Sequence, residues 1–169
     1  MPAPELLTRA IAAALSAAAL VWAVSLPLAP RARGVDGGAA ASPVLAAIPY
    51  VAGALVCHQR ADRSFSSSEG VQWPVCARCA GLYLSAGAGV VAALLLPRRM
   101  VPALGRPRLW RPALLWAAAP TAASWLVERA GWWMPEASAR AWLAVPLGAA
   151  VGALVALAAR GALTDAPKT

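Results

Sequence analysis

The feature that most restricts what this chain can fold into is the recurrence of uncharged apolar runs long enough to cross a bilayer. Between Arg9 and Arg31 stand 21 uncharged residues, 10–30, which as a helix cover roughly 30 Å of hydrocarbon. A cleaved leader is the competing reading. The run is longer than the usual leader core and no small-x-small site follows it, so a retained helix is expected. A second run, residues 37–59, opens on the flexible stretch Gly37-Gly38-Ala39-Ala40-Ala41-Ser42-Pro43 and contains Pro49. Its helical part is expected at 43–57, short and kinked at Pro49. Further spans are expected at 79–97, 110–127 and 141–159. The fourth has only 16 uncharged residues, and Trp110 with a snorkelling Arg111 would extend it into the interface. The expected fold is therefore all-α: a polytopic membrane bundle of about five transmembrane helices forming one integral membrane domain over residues 1–169.

Composition agrees. The chain is 60% hydrophobic and 13% charged, with a mean hydropathy of +0.62, which excludes an ordinary soluble enzyme. Its net charge of +8 arises from 15 cations, all but Lys168 arginine, against 7 acids. On such a chain the surplus sets topology; the lipid bilayer is the expected partner and nucleic acid is not. Five spans put the termini on opposite sides. The first loop, third loop and C-terminus carry nine cations against six elsewhere. The positive-inside rule then places the third loop and C-terminus in the cytoplasm and residues 58–78 outside the plasma membrane.

Trp110, Trp132, Trp133 and Trp142 fall near segment ends, as an aromatic belt would. Gly81, Ser85 and Gly89 recur every four residues, and so do Ala144, Gly148, Gly152 and Ala156. Each strip lets another backbone approach closely. Packing within the chain is the expected use, and a homo-oligomer seam the alternative.

Chemistry concentrates in one loop. All three cysteines and the single histidine lie within residues 57–79. Cys57, His58, Cys76 and Cys79 are the donor set of a tetrahedral Cys3His zinc site, and the Cys76-x-x-Cys79 spacing lets two sulfurs face one ion. Adjacent Cys57 and His58 diverge by about 100° on a helix, so both reach one metal only if the helix ends there. Copper(I) on the thiolates alone is also chemically allowed, as is an unmetallated loop brace. The same atoms permit thiol–disulfide exchange between Cys76 and Cys79 with Cys57 as third thiol. The start of the third helix and Arg78 would stabilise a thiolate there, and the placement is similar in outline to membrane thiol oxidases coupled to quinones. An enzyme is the second reading rather than the first.

Arg60 and Arg63 have lipid phosphates, an anionic ligand, or Asp62 and Glu69 as partners, with local pairing preferred. Glu128-Arg129 at the end of the fourth helix either marks a polar cavity or lies at the interface, and interfacial placement is the simpler reading. No nucleophile–base–acid triad, phosphate-cradling loop or inverted repeat is present.

Cys57-His58-Gln59, then Arg63-Ser64-Phe65, then Cys76-Ala77-Arg78-Cys79-Ala80-Gly81-Leu82-Tyr83 resembles the signature of the small prokaryotic membrane proteins grouped as domain of unknown function 2085. The likeness is strong over about residues 50–90 and loose over the later helices, and the first helix lies outside it. It implies a multi-helix integral membrane protein and no specific activity. Ala80 stands where members often have a hydroxyl residue, and Ser124 where they tend to have an aspartate. The resemblance thus implies an activity lost or altered here if that acid is functional elsewhere.

Overall fold

The computed structural model describes residues 3–33, 43–104 and 107–162. In chain order these form α1 (Ala3–Ala32), α2 (Pro43–Val56), a 3-10 turn (Ala61–Arg63), β1 (Ser64–Ser66), β2 (Gln72–Cys76), α3 (Ala77–Leu95), a second 3-10 turn (Arg98–Met100), α4 (Val101–Leu104), α5 (Pro107–Arg129) and α6 (Ala137–Ala159). The all-α membrane architecture holds, and each expected apolar segment is helical. The Gly-rich opening of the second run, at 37–42, lies outside the described residues.

One element was not expected. The loop after α2 contains an antiparallel ribbon, β1 on β2, pairing Ser64 with Cys76 and Ser66 with Gln72. Its turn is closed by Ser67, which bonds Val71 through main chain and hydroxyl, and by Gly70 at φ 77°. Phe65 and Trp73 pack edge to face at 5.5 Å on one side of it.

The packing is inverted relative to a water-soluble protein. The interior is lined by small residues, among them Ala80, Gly81, Ser85, Gly89, Ala144, Gly148 and Ala156. Leu15, Val21, Leu55, Leu95, Leu115, Trp116 and Trp142 are exposed. Large apolar side chains on the outside and small ones within suit a lipid surround, where close backbone packing replaces hydrophobic burial as the attraction between helices. Three helices, α1, α3 and α6, are both long and apolar enough to cross a membrane. The fourth long helix, α5, has 23 residues, but Arg108 and Arg111 shorten its apolar part.

The two small-residue strips meet each other. A Cβ on Gly81 or Gly89 would overlap the backbone of Ala141 or Ala149; one on Gly148 or Gly152 would overlap the carbonyls of Leu82 or Ala86. Contacts climb both helices in the same direction, so α3 and α6 run parallel. Trp110 at the start of α5 packs with Val90, Ala156 and Leu157, whereas Glu128 at its end meets Arg78 and Arg140 at the starts of α3 and α6. Hence α5 is antiparallel to them. So is α1: Leu26 packs with Val75 and Ala80, and Arg9 lies against Gly161 beyond α6.

These placements correct the expected topology of the second segment. Tyr50 bonds Gln72, Gly53 lies against Pro74, and Cys57 meets Cys76. Arg33, just past α1, stacks on the Tyr50 ring at 3.6 Å. α2 therefore lies beside β2 at the end where α1 finishes, and does not run the length of the bundle. Four helices do, which brings the start of α1 and the end of α6 to the same end rather than to opposite ones. The reason is length: α1 has 30 residues, about 45 Å of helix. Its last turns project past the start of α3 and provide the wall on which α2 and the ribbon rest.

A thiol cluster and an arginine cluster on one cavity

Three chain segments deliver the cysteines. α2 ends at Val56 and places Cys57 on the following coil; β2 ends at Cys76, which is also the N-cap of α3; Cys79 follows in the first turn of α3. The three sulfurs all lie within 4.8 Å of one another, and the Cys76 N–H donates to Cys57 Sγ at 3.2 Å. Beneath them lie Leu26, Val75 and Ala80, with Trp22 and Tyr83 crossing edge to face at 5.9 Å. All three cysteines are half-buried. His58, the fourth expected donor, stands outside this group: it is exposed and lines the adjoining cavity. Consecutive side chains leave the backbone in different directions, and only that of Cys57 turns inward.

The turn that brings Cys57 round rests on its neighbour. Gln59 is the one non-glycine described residue with positive φ, 48°. This left-handed backbone costs about 1 kcal/mol or more for a residue with a Cβ. Its side-chain amide donates to the carbonyls of Tyr50 and Pro74 at 2.8 and 2.7 Å, and its own carbonyl accepts from Gln72 Nε2 at 2.6 Å. Gln59 thus ties α2 to β2 and fixes the separation of Cys57 from Cys76. Sequence reasoning assigned it no role; a polar residue directly after an apolar helix was the available signal.

Cys76 has an acidic thiol, lowered to about 5. The hydrogen bond from the Cys79 thiol is the largest cause, and burial opposes it. The backbone N–H groups of Cys79 and Arg78 at the start of α3, directed at the sulfur without a full capping bond, and the Cys57 thiol add to it. Arg78, expected beside the thiols, points elsewhere.

Its guanidinium meets Glu128 Oε2 at 2.9 Å and Ser124 Oγ at 3.3 Å. Glu128 Oε1 also accepts from Arg140 at 2.9 Å and pairs with Arg63 at 3.1 Å. One carboxylate, its side chain 3% exposed, therefore serves three guanidiniums whose side chains are 6%, 19% and 33% exposed for Arg140, Arg78 and Arg63. Glu128 is the hub between α3, α5, α6 and the loop, and with Arg129 it lines a polar cavity, the alternative weighed for this pair. Arg140 was missed as its partner, although a lone acid at the end of an apolar helix requires a cation when buried. Of the local pairs expected in the loop, Asp62 pairs with Arg60 at 3.1 Å and with Arg63 at 3.6 Å, and Arg63 also reaches inward to Glu128. Ser124 lies within this cluster and Ala80 under the thiols, so both departures noted from the sequence border the site.

A cavity of about 480 Å³ joins the two clusters; its wall includes the three cysteines, His58, Glu128 and five arginines. The arrangement offers a soft three-sulfur donor set, an acidic thiol and a strongly cationic pocket in one place.

No curated protein and no solved structure matches the chain. A family model does, over residues 57–155, from the first cysteine into α6. It extends through the later helices, past the stretch around residues 50–90 in which the signature likeness is strong. Matching more than half of the sequence, it shows that the chain belongs to the DUF2085 family of predicted membrane proteins.

Proposed function

We propose that the three thiolates of Cys57, Cys76 and Cys79 hold one metal ion, zinc, that joins the end of α2 to the start of α3. The single observation supporting this reading is the convergence of three sulfurs from three segments. Three converging sulfurs supply three of the four donors of a tetrahedral zinc site. His58 directly follows Cys57 and lines the same cavity, so it is the chain's own candidate for the fourth donor. The role is structural or metal-handling, because an ion there would tie the loop to the bundle whatever else it does.

The second reading, a thiol–disulfide oxidoreductase using Cys76 and Cys79 with Cys57 as resolving thiol, is favoured by the acidity of Cys76 at the mouth of α3. Elemental mass spectrometry with thiol titration on the full chain, purified in detergent without chelator, separates the two. The metal reading expects one zinc per chain with the thiols protected until chelator is added, and loss of affinity in His58→Ala. Absence of stoichiometric metal together with a reducible Cys76–Cys79 disulfide rejects it and supports the exchange reading.

We further propose that the thiol end faces away from the cytoplasm. Arg98, Arg99, Arg108 and Arg111 are concentrated in the one short connection at the opposite end, the pattern that the positive-inside rule assigns to the cytoplasmic side. With four helices running the bundle's length, the start of α1 joins the C-terminal end on the cytoplasmic side.

A further inference from the structure

The arginine cluster has more positive charge than its fold requires. Arg60, Arg63, Arg78, Arg129 and Arg140 line the cavity with Glu128 as the one carboxylate among them. That leaves a formal surplus of four positive charges, three once the Asp62 paired with Arg60 and Arg63 is counted, and two with the thiolate of Cys76 on the same wall. Were the cluster only a helix clamp, one guanidinium on Glu128 would balance it, and each additional half-buried cation is a desolvation cost without return. Donors are also left over. The Nε–H groups of Arg78 and Arg140 are buried and donate to no acceptor among the described residues, while that of Arg63 lies 3.6 Å from Asp62 Oδ2.

We propose that this cavity binds a phosphate-bearing anion, with Arg63, Arg78 and Arg140 as its inner donors and the exposed Arg60 and Arg129 at its mouth. Guanidinium forks match phosphate oxygens in pairs, and a group carrying about two negative charges suits this surplus better than a single carboxylate. At about 480 Å³ the cavity exceeds the size of a phosphate ion and leaves room for an organic remainder. The apolar part of the wall is Val56 and Trp125, both more than half exposed, on the outward faces of α2 and α5. A remainder leaving that way enters the region where lipid chains lie. The phosphate can therefore be a lipid headgroup or a soluble phosphate, and the chemistry of recognition is common to both. This inference does not depend on a metal at the thiols.

The test uses the full chain in neutral detergent and follows its thermal midpoint. Two probes are added at ionic strength matched with chloride: inorganic phosphate, and phosphatidic acid in mixed micelles with phosphatidylcholine alone as reference. Stabilisation by both assigns the site to the phosphate itself; stabilisation by phosphatidic acid alone assigns it to a lipid headgroup. Arg63→Gln is expected to weaken the effective probe roughly tenfold or more, and Arg60→Gln with Arg129→Gln to weaken it less. Glu128→Gln removes the competing charge while keeping the shape, and should tighten binding. Chelator treatment should leave phosphate binding in place even where it removes metal, so a failure of the metal reading is seen separately. Stabilisation by neither probe, or stabilisation unchanged in both Arg63→Gln and the Arg60→Gln/Arg129→Gln pair, overturns the proposal. The mouth pair remains informative if Glu128→Gln does not fold.

Discussion

The seam between α3 and α6 and the end of the bundle where the arginines gather hold the same two helices together by opposite means. Along the seam there is no charge: glycines at 81, 89, 148 and 152 let one backbone lie against the other, and attraction comes from many weak contacts. At the end, contact is made through a few side chains, and one carboxylate on α5 ties Arg78 of α3 and Arg140 of α6. The seam tolerates loss of any single contact but no added volume. The charged end tolerates changes of volume, but not loss of its one anion.

The largest effect should therefore come from Glu128→Ala, which leaves three guanidiniums facing each other around a vacated centre. Breaking a buried ion pair from one side costs about 3–5 kcal/mol, and thermal unfolding in detergent should show a drop of that order. A loss below about 1 kcal/mol would mean that the arginines already have another anion or open to water, and the contrast with the seam would fail. Gly152→Ala comes next. It adds a single methyl where the Ala86 carbonyl stands. Overpacking of this kind costs about 1–3 kcal/mol, whereas an alanine on the outer face of α6 should be neutral. Added phosphate should recover part of the loss in Glu128→Ala if the cavity is an anion site, and none in Gly152→Ala.

The same contrast explains what could be read from the amino-acid order. The seam was legible because close packing imposes a period: small residues every fourth position on two helices can be matched without knowing the fold. The thiol group was legible because all three cysteines fall in one loop. What escaped depended on direction and distance in space. His58 sits beside Cys57 in the chain, yet its ring remains outside the sulfur group, since the backbone path after α2 is set by Gln59 and its bonds to Tyr50 and Pro74. Arg140 and Glu128 are separated by a turn and the start of a helix, with no periodicity to link them. The placement of α2 escaped for a further reason: a run of apolar residues reports lipid or protein surroundings equally, and contacts made in space, such as Arg33 on Tyr50 and Tyr50 on Gln72, reveal which end it occupies.

The sharpest effect on chemistry concerns Cys76, which belongs to neither mode of packing. Its thiol is lowered to about 5 in the folded chain, while in the unfolded chain it titrates near the ordinary value of about 8.5. Between those values the folded state holds fewer protons than the unfolded one, so the contribution of Cys76 to stability is complete above about pH 8.5 and is lost as pH falls through about 5. Reactivity follows the same ionisation. In reduced, metal-free protein, alkylation of Cys76 by iodoacetamide, located by peptide mass spectrometry, should be nearly constant from about pH 8 to about pH 6 and halve near pH 5. Because the Cys79 thiol is the first cause of the shift, Cys79→Ala should move the midpoint upward, and Cys79→Ser, which keeps a donor, should move it less. A half-maximal rate near pH 8.5 in the unaltered chain would show that the thiolate is not held there, and would remove the observation on which the exchange reading rests. Metal should suppress alkylation at every pH, since a coordinated thiolate has its lone pair engaged.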